Sequence, residues 1–180
     1  TGTANSAIRV LQADGITTAQ SYDWNGVGGF GIKRPTIPIL NNLDLSNPLT
    51  AMGYMGAILL IQTSGTTYNI TLPTTTDADV AKQLQGWNIR VMVLDADGGG
   101  TLDAAVKIIR GDTSGSDADV LFGNVYAAAE DAASDQITIS SNEVTFVSGC
   151  ADGSYVDIVC VTGATGAGKS IFHATGFAAT

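Results

Sequence analysis

Residues 135 to 180 read DQITISSNEVTFVSGCADGSYVDIVCVTGATGAGKSIFHATGFAAT, and this stretch decides the fold class. Within it QITIS, NEVTFVSG, SYVDIVCV and SIFHATGFA are short runs rich in Val, Ile, Phe, Tyr and Thr. They are separated by Ser141-Asn142, by Ala151-Asp152-Gly153 and by the glycine-rich segment from Gly163 to Gly168. Short β-branched and aromatic runs punctuated by Gly, Asn and Asp read as antiparallel strands joined by tight turns. The C-terminal quarter is therefore expected to be a β-meander.

The same stretch contains Gly163 to Ser170, GATGAGKS, which fits the phosphate-loop pattern G-x-x-x-x-G-K-[ST] and follows the strand-like VDIVCV. A phosphate loop must open into a helix whose N-terminus faces the phosphate, with later strands supplying a magnesium-binding acid. Only Ile171 to Thr180 remain, and they are β-branched, aromatic or small. The segment is expected to be a hairpin loop.

Eight basic residues against 17 acidic ones give a net charge of -9, which opposes binding to nucleic acid. Residues 1 to 50 are neutral, with Arg9, Lys33 and Arg34 against Asp14, Asp23 and Asp44, so the excess acid lies beyond them. Charged residues make up 14% of the chain, against ~25% in an average soluble domain. Mean hydropathy is +0.21. So little charge points to surface buried in an oligomer. No apolar run approaches the ~20 residues of a membrane span, and the first residues lack the pattern of a signal peptide, so a cytoplasmic product is expected, with no membrane partner. Cys150 and Cys160 are too few for a disulfide framework and are expected as buried free thiols.

Residues 1 to 50 are rich in breakers, among them Gly26, Gly28, Gly29, Gly31, Pro35, Pro38 and Pro48. They read as an extended N-terminal arm, followed by a β-sandwich domain over 51 to 180. In the domain, Ala57 to Gln62 and Thr66 to Leu72 flank Ser64-Gly65 as a hairpin, with Tyr68, Ile70 and Leu72 on one face. Thr76-Asp77 caps a short helix through Gln85. Asn88 to Leu94 and Ala104 to Ile109 are further strands, and Tyr126 to Ala133 is a helix-favouring run too short to stand alone. Seven to nine strands result, and an antiparallel β-sandwich or jelly-roll-like barrel fits them best.

Candidate chemistry is thin. Asp95 to Asp103 imitates the start of an EF-hand loop, but Val106 stands where a bidentate Glu belongs and the flanks are strand-like, so no metal is expected. His173 could recruit Ser170 or Ser154 and Asp157, yet no nucleophile elbow is present. Asn69-Ile70-Thr71 is a glycosylation sequon inside a strand of a chain with no secretory signal, and it carries no weight. Catalytic residues and cofactors are both read as none.

ITLP followed by TTTDADVAKQ (residues 70 to 83), the alternating strands, SGCADGSYVDIVCVTG and the closing SIFHATGFA resemble small virion proteins of tailed bacteriophages. In capsid decoration proteins and related head or tail fibre domains, an LP strand end, an acidic helical turn and a closing hairpin recur. Phe172 stands where that hairpin usually has Trp, and the last loop is longer. The likeness covers residues 66 to 180. It implies a homotrimeric decoration, or cement, protein on the outer capsid surface of the virion, bridging neighbouring major capsid protein subunits. The alternative it leaves is a fibre or receptor-binding domain recognising host glycan. A hydrolase on a β-sandwich is a third class. The partner-binding residues are expected in the arm: Trp24, Phe30, Lys33, Arg34, Ile37 and Ile39.

Overall fold

The computed structural model describes residues 7–11, 18–24, 30–32, 34–62, 65–74, 83–94, 99–113, 119–127, 136–140, 143–165 and 169–179. The chain divides into two compact units, Thr1–Pro35 and Thr36–Thr180.

In the first unit, β1 (Ala7–Leu11), β2 (Thr18–Trp24) and β3 (Phe30–Ile32) form a three-stranded antiparallel sheet in the order β1-β2-β3. The segment expected to be an extended arm is thus paired backbone over these stretches. Of its breakers, Gly31 lies within β3, and Gly26, Gly28 and Gly29 lie outside the described residues.

The second unit holds two sheets. One has six strands in the order β10-β14-β13-β8-β6-β4: Val120–Ala127, Lys169–Ala178, Tyr155–Thr165, Asn88–Val93, Ile58–Ile61 and Thr36–Ile39. The other has five, β11-β12-β9-β7-β5: Ile137–Ile139, Glu143–Phe146, Val106–Ile109, Tyr68–Thr71 and Leu43–Asp44. A short helix, α1 (Pro48–Met52), lies between β5 and β6. Asn47 caps it by accepting from the Leu49 amide at 2.9 Å, and Pro48 occupies the first turn. The unit is all-β in its sheets, as expected, with the two sheets contributing to one core.

The pairing differs from the expected antiparallel sandwich. From β4 to β9 the chain passes from one sheet to the other at every step, so β4, β6 and β8 lie parallel side by side, as do β5, β7 and β9. β6 and β7, which flank Ser64-Gly65 in the sequence, therefore lie in opposite sheets and form no hairpin, and the same holds for β8 and β9. Ala151 to Gly153 likewise carries the chain from β12 in one sheet to β13 in the other. Only β11-β12 and β13-β14 are the hairpins read from the sequence. An antiparallel jelly roll would have no parallel neighbours. Alternation of apolar residues fixes which side of a strand is buried, and that side can be supplied equally by a partner in the same sheet or by one across the core.

The core is made by the inward positions of both sheets. Leu59, Ile61, Val91, Val93, Val156 and Ile158 from the six-stranded sheet, and Ile70, Val106, Ile108, Val144 and Phe146 from the five-stranded one, are fully buried. Trp87 is buried as well. Its Nε1 donates to the Ala51 carbonyl at 2.7 Å, and its ring meets Phe172 edge to face with centroids 6.4 Å apart. The Tyr68 hydroxyl donates to the Ile39 carbonyl at 2.7 Å and accepts from the Gln62 amide, and burial pushes its pKa up to about 12. Cys150 and Cys160 are buried free thiols, the latter lifted to about 11 by burial.

Candidate interaction face

The arm residues named from the sequence are divided between the two units. Trp24 and Phe30 are register partners in β2 and β3. Lys33 lies outside the described residues, and Arg34 is exposed next to Pro35. Ile37 and Ile39 belong to β4 in the second unit, where Ile39 is buried in the core and Ile37 packs against it. Those two side chains are engaged by their own fold, because β4 needs an inward face of its own. The division after Pro35 also falls earlier than the boundary expected at residue 50.

The imitated sites resolve in the same manner. Lys169 and Ser170 open strand β14, antiparallel to β13 with Thr165 opposite Lys169, where a phosphate loop would require a helix. Ser170 is buried on the inward side of β14, and His173 stands on the outward side. The Asp157 carboxylate is held by Arg90 and Ser154 Oγ accepts from the Ala179 amide, so Ser, His and Asp do not converge. Among the described residues no three His, Cys, Asp or Glu side chains form a group suited to a metal ion. Residues 95 to 98 of the calcium-loop imitation lie outside the described residues.

What the strand registers do bring together is the outward side of the six-stranded sheet. One row crosses all six strands as Tyr126, Phe177, Tyr155, Met92, Leu60 and Pro38. It contains no charge. The next row reads Asn124, Thr175, Asp157, Arg90, Ile58 and Thr36, and the third begins Phe122, His173, Val159 and Asn88. Tyr126 is 65% exposed and Phe122 46%. The rings lean on one another: Tyr155 and Phe177 have centroids 6.2 Å apart, and Phe122 and His173 5.0 Å.

Arg90 and Asp157 are the charged pair of this face, and they cancel. Arg90 Nε and Nη2 reach the two Asp157 oxygens at 2.8 and 2.6 Å, a bidentate pair, and the guanidinium lies 4.2 Å from the Tyr155 ring centroid. The hydrogen bond to Asp157 raises the Arg90 pKa. Pro38, on the edge strand β4, has no N–H to offer a further strand, so this end of the sheet is blunted against edge pairing.

A second polar feature sits where the sheets join. Asp119, fully buried just before β10, accepts from the Ser170 amide at 2.8 Å through Oδ1 and from the Asp112 amide at 3.0 Å through Oδ2. The Arg110 guanidinium donates to its backbone carbonyl. Burial lifts the Asp119 pKa, against the lowering effect of those amides and of a Thr74 hydrogen bond. Because Thr74 and Asp112 follow strands of one sheet and Ser170 opens a strand of the other, this carboxylate ties the two sheets at one end.

The signal for the face was present in the strand sequences as near-continuous apolar runs, ILLI in β6 and VMV in β8, where a one-sided strand would alternate with polar residues. The signal for Asp119 was absent, since a buried acid reached from residues 51 positions away has no local pattern.

No protein-family model matches the chain, and no curated protein sequence does.

Proposed function

We propose that this protein is a structural virion component, a capsid decoration or cement protein that self-associates as a homotrimer and binds the outside of a phage head, stabilising contacts between major capsid protein subunits. The observation that carries this reading is the uncharged apolar row across all six strands on an outward face. Such a row in a chain with so few charged residues is the mark of a surface made to be covered. The ends of strands and the connecting loops would supply the weaker contacts to capsid subunits, which gain from being made several at a time. A fibre domain that grips glycan would offer an exposed ring beside polar groups. The hollow of about 280 Å³ lined by Leu40, Asn41, Asn42, Thr66, Thr67 and Tyr68 has polar groups, but the Tyr68 ring is buried and its hydroxyl is occupied.

The test is co-sedimentation of the purified full chain with heads of the source phage assembled without it. Saturable binding, with heads that then resist heat or low salt better, is the expected result. Absence of binding at micromolar protein would overturn the decoration reading.

A further inference from the structure

We infer that the outward face of the six-stranded sheet is a self-association surface, seated against a second copy of this chain, with the row Tyr126, Phe177, Tyr155, Met92, Leu60 and Pro38 at its centre. The inference rests on the self-associating half of the proposed function and is independent of the capsid: a face packed on the same face of a second copy closes a two-fold pair, so the inference concerns that contact and not the three-fold number.

Three observations select a second copy as the occupant. The first is charge. Residues 51 to 180 carry the whole excess of nine acids, so two copies meeting at most surfaces bring like charges together. On this face Arg90 and Asp157 neutralise each other through two short hydrogen bonds, and the row beside them is uncharged. It is a place where an acidic protein can meet itself without repulsion.

The second observation is area. Six strands at ~4.8 Å spacing and a strand length of ~20 Å along β10 give a face of roughly 500 Å². Two such faces give a footprint of roughly 1,000 Å² in all, at the lower bound for a specific interface. The third is the kind of side chain. Tyr126, Phe122 and Val161 are well exposed, and aromatic residues in a charge-depleted patch are what the centres of protein interfaces contain. A polar or strongly acidic partner would find one ion pair here, already satisfied.

The experiment is light scattering on the full chain, without capsid, over a hundredfold concentration range, for the natural sequence and for Tyr126→Lys combined with Leu60→Lys. The natural protein is expected at an integral multiple of 18.4 kDa and the double variant at 18.4 kDa. Thr145→Lys, on the outward side of the other sheet, should keep the multiple. Circular dichroism checks that each variant is folded. Should the double variant unfold, Tyr126→Lys alone is read, since that side chain is mostly in water and its replacement leaves the core intact. A natural protein that stays at 18.4 kDa throughout, or an oligomer indifferent to the face substitutions, overturns the inference. If the face fails while heads still bind the protein, the decoration reading survives without it. If the mass behaves as expected and heads do not bind, the opposite holds.

Discussion

The two sheets of the second unit have the same inward chemistry and opposite outward chemistry. Outside the five-stranded sheet the registers align Thr138, Thr145, Lys107 and Asn69 in one row and Glu143, Ile109, Thr71 and Asp44 in the next. Lys107 Nζ lies 3.0 Å from Glu143 Oε1, and Thr145 donates to the same carboxylate oxygen. Outside the six-stranded sheet the corresponding row is Tyr126, Phe177, Tyr155, Met92, Leu60 and Pro38. A sheet that packs one side on a core needs only one apolar face. The five-stranded sheet has that economy, and the six-stranded sheet spends its second face on aromatic and aliphatic side chains that the core does not require. The difference separates what the fold needs from what an assembly would use.

The sharpest way to break the comparison is to remove β10 from the apolar face. Gly123 lies opposite Ala174 in β14, and a Cβ built there collides with the Ala174 carbonyl. Gly123→Ala should push β10 off β14 at a cost of about 3 kcal/mol, carrying Phe122 and Tyr126 out of the row. Urea denaturation reads the stability, and scattering mass should fall in parallel. An unchanged mass would mean that β10 contributes nothing to the interface.

Next in size is the joint between the sheets. Asp119→Asn puts an amide NH₂ against one of the two N–H groups that the carboxylate now satisfies, and should cost about 2 kcal/mol near pH 7. The pH dependence has a definite sign. Burial raises the folded pKa of Asp119 above its ordinary 3.8, so the folded chain binds this proton more tightly than the unfolded one. The contribution of Asp119 is therefore most favourable below 3.8 and declines as pH rises through the lifted value. The cost of Asp119→Asn, read from urea midpoints, should accordingly vary across the range just above pH 4, and a cost independent of pH there would contradict the burial account.

The smallest effects compare the ion pairs of the two faces. Arg90→Ala should cost about 1 kcal/mol, since the pair is bidentate but about a third exposed, and Lys107→Ala about 0.5 kcal/mol. Their consequences for assembly should diverge more than their consequences for stability. Arg90→Ala leaves Asp157 uncompensated within the apolar face and should weaken the oligomer, whereas Lys107→Ala should leave its mass as it was. Equal effects on mass would erase the distinction between the faces.

The sequence revealed the strands better than their partners. Tyr68, Ile70 and Leu72 alternate as read and are all buried, and β13 and β14 pair as the closing hairpin, although β13 runs on to Thr165, inside the segment read as loop. The switch of sheet between successive strands was hidden, because a buried side looks the same whichever sheet covers it. Pro48 and Asn47 mark the start of α1 in retrospect, but five residues are too few for helical periodicity to register. Ile37 and Ile39 were misassigned to an arm because the surrounding prolines suggested irregular chain, while Pro38 in fact sits on an edge strand that does not need its N–H. The outward face was not legible because ILLI was read only as one strand of a hairpin, with neither side of it assigned.

The most direct measurement of the difference between the two faces is hydroxyl-radical footprinting of the full chain at high concentration, set against the Tyr126→Lys, Leu60→Lys variant. The account predicts that Phe122, Tyr155, Met92 and Phe177 are labelled several-fold less in the natural protein, while labelling of Ile109 on the other face is the same in both. Equal labelling of the aromatic face in the two proteins would contradict it.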